Sequence, residues 1–161
     1  MSSDSSPRVR RNEPPAIVLT VMNPIFRAAL GSPLHGVVDK AFMLVHLTGR
    51  KTGRRYSIVV GRHEIDGVTT AMTSAPWRLN ARGGAAADVT TDGRTWHARA
   101  ELVEDPDAVA DAYAAEIQRF GWKGAQRRLG ITMDGDRPPT REELREAAEQ
   151  AHLSLILFHP A

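Results

Sequence analysis

Four cations fall within six consecutive positions of this chain: Arg50, Lys51, Arg54 and Arg55, with Gly49 just before them and Gly53 among them. Glycines let backbone N–H groups converge into an anion-binding concavity, and arginines add planar forks for phosphate or carboxylate. A solvated turn whose charges do no chemistry is the competing reading, and the residues alone leave it open. The stretch is not a P-loop despite Lys51-Thr52, because Arg50 stands where that motif needs a glycine. No G-x-G-x-x-G follows a strand pattern, which speaks against a dinucleotide site of the Rossmann type. Trp77 and Asn80 are the second point of chemical interest. They stand three apart, on one face if their segment is helical. An aromatic face with an amide could pack and hydrogen-bond a planar ring system. A core tryptophan with a helix-capping asparagine explains the same pair.

Other chemistries find little support. With 0 Cys there is no thiolate nucleophile, disulfide framework or Cys-ligated metal. His46, His63 and His97 are scattered over separate strand patterns and H-E-x-x-H is absent, so no metal site is expected. A Gly-x-Ser-x-Gly elbow is also absent. Glu142-Glu143 opens a helix, where the macrodipole explains paired acids. Few aromatics interleave with the cations, and residues 83–161 are acidic, so a nucleic-acid partner is not expected. The net charge of +2 divides unevenly, +7 over residues 1–82 and −5 over residues 83–161. One half can therefore attract an anion while the whole stays near neutral.

The elements that must position these groups follow from patterning. At 161 residues, 42% apolar and 25% charged, the chain suits one soluble domain. Residues 1–14, rich in Ser, Pro and Arg, read as a disordered tail, and 15–161 as a single domain. Residues 15–39 read as two helices, with Asn23-Pro24 and Ser32-Pro33 as starts. Strand patterns cover 42–47, 56–60, 68–73, 87–91 and 95–103, with Asp66-Gly67 and Asp92-Gly93 as tight turns. Residues 74–82 have room for one or two helical turns, which Gly83-Gly84 ends. Asp105-Pro106 and the capping box Thr140-x-x-Glu143 open helices, Gly121 breaks the first of them, and residues 153–158 form a last strand. Strands followed by helices followed by one returning strand argue for an α+β fold. The hairpins suit a small barrel of about six mostly antiparallel strands with flanking helices.

Leu47-Thr48-Gly49-Arg50-Lys51-Thr52-Gly53-Arg54-Arg55-Tyr56 resembles the deazaflavin-dependent nitroreductase family, within the split β-barrel flavin/deazaflavin oxidoreductases found in mycobacteria and other actinobacteria. Asn23-Pro24, Ser32-Pro33-Leu34-His35-Gly36, Pro76-Trp77 with Asn80, and Arg82-Gly83-Gly84 also fit that family. The resemblance implies a split β-barrel of the FMN-binding-protein type that binds coenzyme F420, whose phosphodiester and glutamate tail are anionic. It implies that Arg50, Lys51 and Thr52, helped by Arg55, hold the phosphate and tail. Ser57 and Val59 would line the deazaflavin ring, Met72 and Thr73 would border it, and Trp77 and Asn80 would close the pocket. No catalytic residue is assigned. The implied activity is hydride transfer from reduced F420 to a hydrophobic quinone, enone or nitroaromatic. Gly61 stands where nitroimidazole-reducing members place a tyrosine, and Phe120 and Trp122 lie where others cluster. An FMN-dependent member and a non-catalytic barrel carrying a lipid or haem-like ligand therefore stay open as alternatives. A cytoplasmic protein is expected, monomer or homodimer, with its N-terminal apolar helix either packed on the core or resting on a membrane surface.

Overall fold

Apolar residues at every second position build the larger part of this molecule. The computed structural model describes residues 9–11, 42–129 and 131–161. The helices expected within 15–39 lie outside the described residues. In chain order the elements are β1 (Val9–Arg11), β2 (Phe42–Thr48), β3 (Arg55–Gly61), β4 (His63–Ile65), β5 (Val68–Thr73), a 3₁₀ segment (Pro76–Ala81), β6 (Ala85–Thr91) and β7 (Arg94–Val103). Then come α1 (Pro106–Phe120), α2 (Trp122–Leu129), β8 (Ile131–Met133), α3 (Arg141–Gln150) and β9 (Ser154–Pro160). The result is an α+β fold whose main sheet curls into a half-barrel.

The sheet has seven strands in the order β3-β2-β6-β7-β9-β5-β4. Its first and last members are consecutive in the chain, joined by Arg62 alone. One residue spans only about 3.3–3.6 Å, so the end of β3 and the start of β4 lie close together and the sheet between them must curl. Arg62 also clasps Asp92 at the β6–β7 turn with two N–H···O bonds of 3.1 and 3.2 Å. Inside the curl lie Met43, Val45 and Leu47 of β2, Val89 of β6, Ala98 and Ala100 of β7, and Ile156 and Phe158 of β9. Tyr56, Ile58 and Val60 of β3 pack onto them from across the β2–β3 register. On β7 exposure alternates: His97, Arg99 and Glu101 are exposed, while Ala98 and Ala100 are buried. Both Asp-Gly turns have positive φ at each residue, 51° and 76° at Asp66-Gly67 and 52° and 73° at Asp92-Gly93. Those values are the mark of the type I′ hairpin that the dipeptide predicts. The seventh strand is β4, which at 3 residues is too short to leave a periodic signal.

A second compact unit holds β1, α1, α2, β8 and α3. The Asp105 carboxylate accepts from Ala108 N–H at 3.0 Å and caps α1, and Gly121, with φ 75°, ends it. Thr140 and Glu143 form the reciprocal capping box of α3. Val109, Tyr113 and Ile117 of α1 are buried, as are Leu144, Ala147 and Ala148 of α3. Arg141 bonds Asp111 at 2.7 Å and Asp107 at 3.3 Å, fastening α3 to α1. Val9–Arg11, inside the stretch whose composition suggests a tail, pairs antiparallel with β8. Val9 lies opposite Met133 and is buried, so one apolar side chain seats a segment too short for periodicity to reveal.

Candidate functional site

The basic hairpin closes through its own backbone. Gly49 N–H donates to the Arg54 carbonyl and Gly53 N–H to the Gly49 carbonyl, both at 2.9 Å. Gly53 sits at φ +67°, a conformation that a side chain would strain. A Cβ on Gly49 would come within 2.9 Å of Thr52 Oγ1, so glycine there lets the Thr52 hydroxyl fold over the turn. Thr52 Oγ1 also accepts from Arg54 N–H at 3.3 Å.

Facing the hairpin is the 3₁₀ segment Pro76–Ala81. Thr73 Oγ1 accepts from Ala75 N–H at 3.0 Å just before it starts. The buried Arg78 guanidinium donates back to the carbonyls of Ser74 and Ala75 at 3.0 and 3.2 Å. Trp77 packs against the barrel core. Asn80 ties this segment to the hairpin. Its Oδ1 accepts from Arg50 N–H at 2.9 Å, and its Nδ2 donates to the Trp77 carbonyl at 3.0 Å and to the Tyr56 hydroxyl. The amide orientation follows from these partners, since a backbone N–H must meet the oxygen and a carbonyl must meet the nitrogen. Arg50 Nη1 adds a bond to the Leu79 carbonyl at 3.1 Å, using one of five guanidinium donors. Partial burial raises the Tyr56 phenol above its ordinary pKa, although the Asn80 bond pulls the other way.

Between the two segments lies a cleft of about 620 Å³. Gly49, Arg50, Lys51 and Thr52 form one wall, and Pro76, Leu79, Asn80 and Arg82 the other. Two cations and a hydroxyl thus face a third cation across a cleft with an apolar patch. This donor set suits a phosphate or carboxylate attached to an apolar body.

Of the ten residues singled out from the sequence, Arg50, Lys51, Thr52 and Asn80 meet in this cleft. Arg55, Ser57 and Val59 lie on the other face of the sheet, since their neighbours Tyr56, Ile58 and Val60 are the ones packed on the core. There Arg55 and Ser57 join a polar ladder across four strands. Ser57 Oγ and His46 Nδ1 are hydrogen-bonded at 2.6 Å, and Asp88, opposite His46, bonds both Arg55 and His97. His97 and Arg55 together hold the Asp88 carboxyl below the usual carboxylate range. Thr73 and Trp77 frame the 3₁₀ segment from β5 and the core. Met72 is half-buried and shares its side of β5 with the buried Thr70.

Sequence reasoning missed Arg82, Pro76 and Leu79 as cleft residues and Tyr56 as the third partner of Asn80. Arg82 carried a signal, standing directly before Gly83-Gly84 and after the segment that holds Trp77 and Asn80. Tyr56 carried none, because its reach to Asn80 depends on how the hairpin meets the 3₁₀ segment.

No helix among the described residues is long and apolar enough to cross a membrane. No protein-family model and no curated protein matches the chain. Solved structures to which it is similar include a domain-swapped dimer, 15% identical with TM-score 0.47, over 84% of this chain and 93% of that one. A conserved hypothetical protein of Mycobacterium tuberculosis is 15% identical with TM-score 0.44, over 80% of each chain. An F420 reductase is 13% identical with TM-score 0.39, over 84% of this chain and 92% of that one.

Proposed function

We propose that this chain is an oxidoreductase that binds coenzyme F420 with its phosphodiester in the cleft between the 49–54 turn and the 3₁₀ segment. The observation that supports this reading is the gathering of Arg50, Lys51, Thr52 and Arg82 around one cleft. The Thr-Gly-Arg-Lys-Thr-Gly motif that resembles the deazaflavin-dependent nitroreductases forms one wall of it. The donor set fits the group: planar arginine forks and a lysine for the phosphate, with Pro76 and Leu79 as apolar surface.

When bound, the deazaflavin supplies the hydride, delivered to a hydrophobic quinone, enone or nitroaromatic. The chain's own work is binding and orientation. Arg50 and Lys51 neutralise the phosphate, and the Thr52 hydroxyl donates to an oxygen at its edge. Asn80 acts as a positioning residue, since its three hydrogen bonds lie within the protein. It fixes the turn against the 3₁₀ segment before any ligand arrives, which reduces the ordering cost of binding. Partial burial raises the Tyr56 pKa and so favours its protonated phenol further.

Fluorescence titration of the purified protein with oxidised F420 and with FMN tests the proposal. Tight binding of F420 over FMN is expected. The double variant Arg50→Ala/Lys51→Ala should lose about 200-fold in affinity, or about 3.1 kcal/mol, at the low end of the range for two charge-assisted bonds. Unchanged affinity in that variant, or preference for FMN, refutes the assignment.

A further inference from the structure

A second cavity, of about 710 Å³, is lined in part by the residues that directly follow Arg82 in the chain. Arg82 lines the first, and the next two residues, Gly83 and Gly84, line the second together with Arg99, Glu101 and His159. Successive Cα atoms are about 3.8 Å apart, so the backbone at Arg82 and the backbone that lines the second cavity are near neighbours. We propose that the two cavities form one path for an elongated ligand with several separated anionic groups, and that Arg99 receives a carboxylate beyond the phosphate site. The inference rests on the F420 reading for the ligand's identity and assigns its glutamate tail to Arg99.

Three observations carry it. First, the Arg99 guanidinium lies over Gly84. A Cβ there would come within 2.9 Å of Nη2 and 3.1 Å of Nε, and Gly84 has φ +90°. The close approach therefore depends on glycine in the lining of the second cavity. Second, the Arg99 guanidinium has no hydrogen-bond or ion-pair partner among the described residues, unlike those of Arg55, Arg62, Arg141 and Arg145, each of which holds a carboxylate. Its fork is available for a bidentate carboxylate. Third, the acid beside it is occupied. Glu101 Oε2 is bonded to His159 Nε2 at 2.9 Å, and His159 sits directly across from Arg99 in the β7–β9 register. That leaves the Gly84 side of Arg99 as the approach for an anion, away from the Glu101 charge.

Equilibrium binding of two forms of the cofactor decides the matter, one with its glutamate tail and one retaining the phosphate but lacking the glutamates. The wild-type protein should bind the tailed form about tenfold more tightly, equivalent to about 1.4 kcal/mol. Arg99→Ala should abolish that difference while leaving the tail-less affinity unchanged, and Arg99→Lys should keep part of it. Arg99 is exposed, so circular dichroism of the variants should match the wild type. Equal losses for both forms in Arg99→Ala, or no loss for the tailed form, overturn the inference while the phosphate site stands. Failure of the wild-type protein to bind either form overturns the F420 reading, and this inference with it.

Discussion

Asn80→Ala is the sharpest test of how this cleft is assembled. The substitution removes three hydrogen bonds, to Arg50 N–H, the Tyr56 hydroxyl and the Trp77 carbonyl. A neutral intramolecular bond contributes about 0.5–1.5 kcal/mol net, and the Arg50 bond, being exposed, belongs at the low end. The sum is about 2 kcal/mol, which in a chain of this size lowers the melting temperature by about 4–8 °C. Tyr56→Phe removes only one of the three bonds and should cost about 1 kcal/mol. In the double variant the two losses should fall short of additivity by at least about 0.5 kcal/mol, because the residues share a bond. Urea denaturation of the four proteins measures all of this. The same variant should weaken F420 binding about tenfold, since the turn would then be ordered only when ligand binds. If Asn80→Ala lies within about 0.5 kcal/mol of the wild type, the three bonds do not hold the turn, and the positioning role is refuted.

Arg55→Ala should change F420 affinity no more than about threefold, against the much larger loss for Arg50→Ala/Lys51→Ala, because a surface ion pair partner far from the phosphate contributes little; comparable losses in the two would return Arg55 to the site. Tyr113→Phe should raise stability by about 1 kcal/mol or leave it unchanged, since the Tyr113 hydroxyl is buried with no hydrogen-bond partner among the described residues. Thermal denaturation checks this, and a clear destabilisation would show that the hydroxyl is satisfied. The Asp88 carboxyl should titrate below the ordinary value of about 3.9 in a carboxyl-carbon NMR titration. Its folded-state pKa is depressed, so its stabilising contribution is present above the unfolded carboxylate's pKa and is lost as pH falls through the folded value. Asp88→Asn should remove that acid-side dependence while leaving the rest of the pH profile in place.

The elements most legible in the sequence are those where the local signal and the tertiary demand agree. Both Asp-Gly turns, the Asp105 and Thr140 caps, the break at Gly121 and the alternation on β7 fall into this group. Each is decided by backbone conformation or by period, which a single sequence displays. β1, β4 and β8 were not legible, because each has only 3 residues and owes its strand geometry to the partner it meets. The turn 49–54 announced itself by charge and glycine, yet what faces it did not. Arg82 lies 31 positions beyond Lys51, and only the curl of the sheet brings them to one cleft.

Strand parity explains why counting cations in a motif overstates the charge at a site. Arg50 and Lys51 belong to the turn, whose backbone is aimed by Asn80 and by the Gly49–Arg54 bond. Arg55 is the first residue of β3, and from there on side chains alternate between the two faces of the sheet. Tyr56 must go inward, toward Asn80 and the core, so Arg55 must go outward. On that outer face Asp88, itself fixed opposite His46 by the β2–β6 register, takes its guanidinium. The charge that the motif withdraws from the cleft in this way is restored by Arg82 from the opposite wall. A cleft with cations on both walls can hold an anion between them, whereas four cations along one turn would offer it a single flank. Shifting the register of β3 by one residue would turn Arg55 inward and Tyr56 outward, losing both the Asn80 bond and the Asp88 pair at once. The placement of charge around the cleft is thus set by the same two-residue period that builds the barrel core.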